Sequence, residues 1–171
     1  SLHDALPISK APIVKKVLKG IRALHPAQEK QAKPLQLEQL QQVSGWLEEQ
    51  IALANGLGNA KAQLKHTRDR AILLLGFWRG FRSDELSRLD VDFMQLIPNE
   101  GLELFLPFSK GDRESQGEVF KVPALANLCP VEAVEAWLAI SGIHSGPLFR
   151  GVNRWGHLSE DGLHSGSFIA L

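Results

Sequence analysis

The 171-residue chain contains no tyrosine, although it carries four tryptophans and eight phenylalanines. Cys129 is the only cysteine, which excludes a disulfide framework and a cysteine-based zinc site. The six histidines show no close metal-ligand spacing. The sequence therefore predicts neither a bound metal nor another cofactor.

Long apolar runs are also missing. No run approaches the roughly 20 residues that a membrane span needs, and no segment resembles a secretory leader. These absences predict a cytoplasmic protein with no membrane partner. The apolar content of 44% is nevertheless enough for a real core, and the length suits one full domain plus part of another.

Charge is balanced overall but not along the chain. Residues 10–33 hold seven basic residues and one acidic residue, a net charge of +6, whereas residues 34–171 carry −5. Such a basic arm indicates an anionic partner at one end, most simply nucleic acid. On charge alone, a solvated helix face explains the arm equally well.

The N-terminal part divides into three segments. Residues 1–8 have no periodicity and are interpreted as a non-native leader. An amphipathic helix is predicted over 12–24, with four basic residues off its apolar stripe: Lys15, Lys16, Lys19 and Arg22. The polar stretch 27–34 resembles an interdomain linker, so the main domain is expected to begin at residue 35 with a long helix that ends at Asn55-Gly56.

A second helix is expected to open at Thr67 and to continue through the buried run 71–78. Gly80 ends this helix, and Ser83 is placed to cap a short helix after it. Arg82 then lies on the tight turn between the two helices.

The position of Arg82 suits the binding of a phosphate or carboxylate, because a guanidinium is planar, always charged and able to donate two parallel hydrogen bonds. The alternative is a local salt bridge to Asp84 or Glu85. Taken alone, the turn favours this structural role, since structural arginines outnumber functional ones.

Strands follow the turn. Alternation over 91–95, 102–108 and 118–123 predicts a small antiparallel sheet, with residues 109–116 forming an exposed hairpin tip that carries Lys110. Cys129-Pro130 then begins a helix, 147–149 forms a short buried segment, and another helix starts near Leu163. The predicted fold class is α+β, mainly α with a small antiparallel sheet.

Taken together, these segments resemble the tyrosine recombinase (phage integrase) family. The similarity lies in four pieces, taken in order: Arg68–Phe77, Gly80–Leu86, Ser109–Asp112 and Cys129–Arg150. The resemblance implies that residues 35–171 are the N-terminal part of a recombinase catalytic domain. It also implies that 9–26 is the last helix of a DNA-clamping core-binding domain.

The resemblance implies a chemistry as well. In this family a tyrosine attacks a DNA phosphodiester without a metal, and the enzymes assemble as tetramers on paired sites. Arg82 matches the first catalytic arginine, Glu85 matches the acidic residue that supports the site, and Lys110 matches the lysine that protonates the leaving 5′ oxygen. The basic helix, with Lys15, Lys16, Lys19 and Arg22, would contact double-stranded DNA.

The chain departs from the family pattern in its C-terminal part. His157 and His164 do not supply the second catalytic box, His-x-x-Arg, because Glu160 and Ser167 stand three residues after them. We therefore expect the chain to be cut off before that box and its tyrosine, and to be inactive on its own. Two alternatives remain: a complete non-enzymatic DNA-binding or regulatory module, and a helical protein-interaction domain.

Overall fold

The computed structural model describes residues 33–97, 100–107 and 117–170, together with Ile13, Lys16, Val17 and Lys19. The chain forms two compact units, residues 1–34 and 35–171. In the first unit, the four described residues between 13 and 19 are helical and exposed.

The second unit begins with a helical pair. Helix α1 spans Leu37–Gly56, and helix α2 spans Ala60–Arg79 and packs against it. The predicted end of α1 is therefore confirmed. The predicted start of α2 at Thr67 is wrong, because the side chain of Asn59 accepts a hydrogen bond from the Ala62 N–H and caps the helix earlier. Thr67 lies inside α2, where its hydroxyl donates to the Gln63 carbonyl at 2.8 Å.

Two further α-helices follow in the second unit. The short helix α3 spans Ser83–Ser87, and α4 spans Pro130–Ser141. Helix α4 begins as predicted, with Pro130 in the first turn, where a missing N–H costs nothing. The Cys129 sulfur accepts from the Glu132 N–H at 3.4 Å, so the lone cysteine is a helix cap. Helix α4 packs against α2, which thus contacts two helices.

A three-stranded antiparallel sheet follows α3 in the chain. Its strands are β1 (Met94–Ile97), β2 (Gly101–Leu106) and β3 (Glu118–Pro123), in the order β1-β2-β3. The predicted sheet is confirmed, but Val91–Phe93 is a 3₁₀ turn and not the start of a strand. The Asp90 carboxylate accepts from the Asp92 N–H at 2.8 Å, which turns the chain before β1.

A second small sheet was not predicted. Strands β4 (Arg150–Val152) and β5 (Leu158–Gly162) form an antiparallel hairpin with a register shift between Arg150 and Val152. After it, Ser165–Ala170 forms a 3₁₀ helix where the sequence suggested a further helix. The fold class of α+β with small antiparallel sheets is confirmed.

The core lies where α2, α4 and the first sheet meet. Trp137 of α4 is fully buried, and its indole N–H donates to the Leu148 carbonyl at 2.8 Å. Leu148 and Phe149 are buried as predicted, and the Leu148 N–H bonds to the Leu89 carbonyl at 2.9 Å. These contacts fix the segment between α3 and β1. The turn before α3 is attached to the same core through Phe81.

Candidate functional site

The turn between α2 and α3 is held from both sides. Gly80 ends α2 at φ 64°, a left-handed conformation that glycine adopts without a steric penalty. Phe81 is buried, and its ring packs edge-on against Phe120 of β3 at 4.8 Å between centroids. Arg82 follows in an extended conformation and is the residue that caps α3. Its backbone position is thus set by packed neighbours.

Glu85 connects the turn to the first turn of α3. One carboxylate oxygen accepts from the Arg82 backbone N–H at 2.8 Å, and the other lies 3.4 Å from the Arg82 guanidinium. The predicted cap at Ser83 is therefore wrong. Ser83 is the first helical residue, because the carboxylate of Glu85 already binds the free N–H at the helix start.

The Arg82 guanidinium remains open to solvent. Its side chain is 68% exposed, and its contact with Glu85 is longer than a usual charge-assisted hydrogen bond. The neighbouring carboxylate of Asp84 pairs instead with Arg88, at 2.9 Å. The salt bridge that was the alternative role of Arg82 therefore exists only to Glu85. It leaves most of the five guanidinium donors available for an anion.

A cavity of about 510 Å³ opens beside this turn. Ser83 lines it from α3, and Lys65 and His66 line it from α2. The Trp46 ring of α1 meets the His66 ring edge-on at 5.6 Å. The charged side chains that line this recess are Lys65 and Asp69, and its rings are those of Trp46, His66, Phe81 and Phe168.

A buried ion pair on α2 also contacts the first residue of β4, which was not predicted. The Arg68 guanidinium bonds to the Asp69 carboxylate at 2.7 and 2.9 Å and to the Arg150 carbonyl at 3.1 Å. Arg68 is 94% buried at its side chain. The two arginines are 82 residues apart, and no local pattern indicates such a contact.

Of the other five predicted site residues, the structure describes Lys16 and Lys19. Lys16 and Lys19 are helical and exposed, in the unit formed by residues 1–34. Lys15, Arg22 and Lys110 lie outside the described residues. A DNA contact by the basic helix and an acid role for Lys110 stay predictions.

The two C-terminal histidines lie in the β4–β5 hairpin and just after it. His157 is exposed in the β4–β5 turn, and the His164 ring accepts from the Gly166 N–H at 3.1 Å. Among the described side chains, no three His, Cys, Asp or Glu residues are grouped so as to hold a metal ion. None of the helices in the described ranges combines the length and apolar character of a membrane-spanning helix.

Comparison with known proteins gives one informative match. No family model matches the chain. A curated protein of Selenomonas ruminantium named "Integrase/recombinase xerD homolog" is 36% identical over 94 residues. The match supports a tyrosine recombinase family. It covers 54% of this chain and 27% of the relative, so the chain spans about a quarter of the length of that recombinase. The α+β fold is consistent with the catalytic domain of a tyrosine recombinase.

Proposed function

We propose that the chain is part of a site-specific DNA recombinase and binds double-stranded DNA through the Arg82 turn and the basic N-terminal helix. The similarity to a recombinase of Selenomonas ruminantium supports this function. Assembly as a tetramer on paired DNA sites belongs to the same proposal and follows from the family resemblance.

The observation that carries the proposal is the setting of Arg82. The buried arginines of α2 are paired with carboxylates, whereas the Arg82 side chain is 68% exposed on a backbone fixed by Glu85 and Phe81. A fixed, exposed fork of donors matches the geometry of a phosphate. Arg82 would thus stabilise the negative charge that develops on a DNA phosphate during strand transfer.

Strand transfer also needs a proton for the leaving group and a nucleophile. Lys110 would protonate the leaving 5′ oxygen, with Glu85 holding the Arg82 turn in place. The nucleophile of the family is a tyrosine, and the chain contains none. No phosphotyrosine can form on these residues, and catalysis would require a tyrosine from elsewhere.

The test is DNA binding measured by fluorescence anisotropy over a salt series. We expect nonspecific affinity of about 10⁻⁴ to 10⁻⁶ M near physiological salt, because phosphate contacts dominate such binding. Replacing Arg82 by alanine should weaken binding on every sequence and lower the log–log salt slope by about 0.9, the loss of one phosphate contact.

Arg88→Ala is the matched control. It removes the same charge six residues away, but the Arg88 guanidinium already pairs with Asp84 at 2.9 Å. Its salt slope should stay close to that of the unaltered protein. Equal slopes for the two variants would show that Arg82 acts only through net charge, and the absence of any DNA binding would overturn the proposal.

The absence of tyrosine favours a second candidate, a DNA-binding module without catalysis. A nicked suicide DNA substrate addresses the chemistry directly. Incubation with this chain should give no denaturation-resistant protein–DNA species on a gel, since no recognisable base accompanies a serine or threonine nucleophile. A covalent band from this tyrosine-free chain would contradict the assigned mechanism.

A further inference from the structure

The turn of the β4–β5 hairpin is closed by its own hydrogen bonds. The Asn153 side-chain oxygen accepts from the N–H groups of Trp155 at 2.8 Å and His157 at 3.0 Å. The Asn153 N–H donates to the His157 carbonyl at 2.9 Å, and the Gly156 N–H donates to the Asn153 carbonyl at 3.0 Å. An asparagine that binds backbone in this way fixes a tight turn.

This turn presents an arginine stacked on a tryptophan. The Arg154 guanidinium lies 4.6 Å from the centroid of the Trp155 ring, within the range of a cation–π contact. The Trp155 residue is 70% exposed, although a large aromatic side chain is normally mostly buried. The indole thus orients the guanidinium at the surface and contributes little to the core.

The hairpin tip lies against the basic first turns of α2. A Cβ built on Gly156 would lie 3.2 Å from Lys61 Cβ, and the φ of 85° at this residue also requires glycine. Lys65 stands one helical turn after Lys61 on the same face, about 6 Å along the axis. Lys65 in turn lines the cavity that borders the Arg82 turn.

The charged side chains between the hairpin tip and the cavity beside the Arg82 turn are mainly positive. Among the described residues, the ion pairs do not involve Lys61, Lys65 or Arg154. On the hairpin itself, the acidic side chains of Glu160 and Asp161 are exposed on β5. Asp69 of α2 lines the same cavity as Lys65, and its carboxylate is bound by Arg68. A row of unpaired cations therefore leads from the hairpin tip to the Arg82 turn.

We propose that the Arg154–Trp155 hairpin tip, with Lys61 and Lys65, is a second DNA contact that binds the phosphate backbone beside the Arg82 turn. The inference rests on the proposed function, since it assumes that the chain binds DNA. Arg154 binds phosphate, and Trp155 is the positioning residue that holds its guanidinium. Duplex DNA fits better than a protein partner, because a row of exposed cations complements a regular series of phosphates.

Salt-dependent binding to a duplex oligonucleotide tests the contact. Arg154→Ala should lower the log–log salt slope by about 0.9, the loss of one phosphate contact. Arg154→Lys and Trp155→Ala should weaken binding and leave the slope nearly unchanged, because each keeps the cation but loses the stack. Glu160→Ala, on the same hairpin, is the control and should not weaken binding.

Tryptophan fluorescence gives an independent readout. Trp46, Trp78 and Trp155 are exposed, whereas Trp137 is fully buried. In a Trp46→Phe, Trp78→Phe background, quenching by acrylamide therefore reports on Trp155. DNA should protect this fluorescence, and adding Trp155→Phe should abolish the protection.

The outcomes separate the two proposals. DNA binding that depends on Arg82 but not on Arg154, without protection of Trp155, would overturn the hairpin contact and leave the proposed function standing. An unchanged salt slope for Arg82→Ala together with a reduced slope for Arg154→Ala would support the hairpin contact and contradict the role of Arg82. No DNA binding by the unaltered chain would overturn both.

Discussion

The interior of α2 and the turn that follows it both carry arginines, but in opposite settings. Arg68 and Arg70 have side chains only 6% and 10% exposed, and each is bound to a carboxylate, at 2.7 and 2.6 Å. Arg82 is 68% exposed and lies 3.4 Å from its nearest carboxylate. The same residue type therefore stabilises the fold in one region and is available to a ligand in the other.

The difference shows what decides the role of an arginine. A buried guanidinium needs a carboxylate partner, because an unpaired buried charge is very costly. Arg68 meets this need through Asp69, and Arg70 meets it through Glu48, although the buried Nε of Arg70 has no hydrogen-bond partner. An exposed guanidinium has no such requirement, and a surface salt bridge adds little stability. Burial and pairing with a carboxylate thus separate the arginines of α2 from Arg82, whose guanidinium is open to a ligand, whereas charge and residue type do not.

The largest expected effect comes from the buried pair. Arg68→Met keeps the apolar stem but leaves Asp69 and the Arg150 carbonyl without their partner, so we expect a loss of about 3–5 kcal/mol in unfolding free energy. Urea denaturation measures it. Arg88→Met is the control, since it breaks an exposed pair on α3 and should cost about 0.3–0.5 kcal/mol. Equal losses for the two variants would contradict the comparison.

The basic helix should show a large effect on binding and a small one on folding. Replacing Lys15, Lys16, Lys19 and Arg22 together by alanine should lower the log–log salt slope of DNA binding by up to about 3.6, at 0.9 per phosphate contact. Alanine favours helix, so the helical circular dichroism signal should be retained. An unchanged slope would remove this helix from the DNA interface.

Glu85 combines the two settings, because its buried carboxylate accepts from the N–H of Arg82, the cap residue of α3, and also contacts the exposed Arg82 guanidinium. Glu85→Ala should cost about 0.5–2 kcal/mol of stability, as expected for the loss of a helix cap. Thermal unfolding measures it. A variant as stable as the unaltered protein would mean that the bond to the Arg82 N–H contributes nothing.

Arg82→Lys should change stability by less than about 0.5 kcal/mol, because the capping N–H belongs to the backbone and the side chain is exposed. The charge is kept but the bidentate fork is lost, so DNA affinity should fall. Thermal unfolding and anisotropy measured on the same variant check both. If Arg82→Lys instead unfolds the domain, Arg82 is a structural residue.

Local signals allowed much of the fold to be predicted. Gly80 and Pro130 mark the end of α2 and the start of α4, because each acts on the backbone at its own position. The start of α2 was missed by seven residues, since its first turns are polar and their cap is the side chain of Asn59. The β4–β5 hairpin was missed because its short strands are nowhere fully buried and do not alternate.

In the candidate site too, contacts between residues close in sequence could be predicted, whereas contacts between distant residues could not. Arg82 and Glu85 are three residues apart, so a turn followed by a helix start is enough to bring them together. The contact between Arg68 and the Arg150 carbonyl joins residues far apart in the sequence, so only the tertiary fold creates it. The stacking of Arg154 on Trp155 involves neighbours, yet it requires the turn made by Asn153, and no strand pattern around Asn153 predicts that turn.

The smallest expected effect concerns Lys121, an exposed cation with a well-placed partner. Its ammonium lies 2.8 Å from the Glu103 carboxylate across strands β2 and β3, and this hydrogen bond, followed by the charge of Glu103, raises the pKa of Lys121 above its usual value of 10.5. A raised pKa in the folded state means that the pair stabilises the fold below pH 10.5 and that this contribution is lost as pH rises through the raised pKa.

Because the Lys121 side chain is 78% exposed, we expect Lys121→Ala to melt close to the unaltered protein at pH 7. Any difference in melting temperature should disappear above the raised pKa, where the lysine is neutral in both the folded and the unfolded chain. Melting curves at pH 7 and at a pH above the raised pKa of Lys121 measure this difference. Arg68→Met is measured under the same conditions for comparison. If Lys121→Ala lost as much stability as Arg68→Met, burial would not be what separates the structural cations of this protein from the rest.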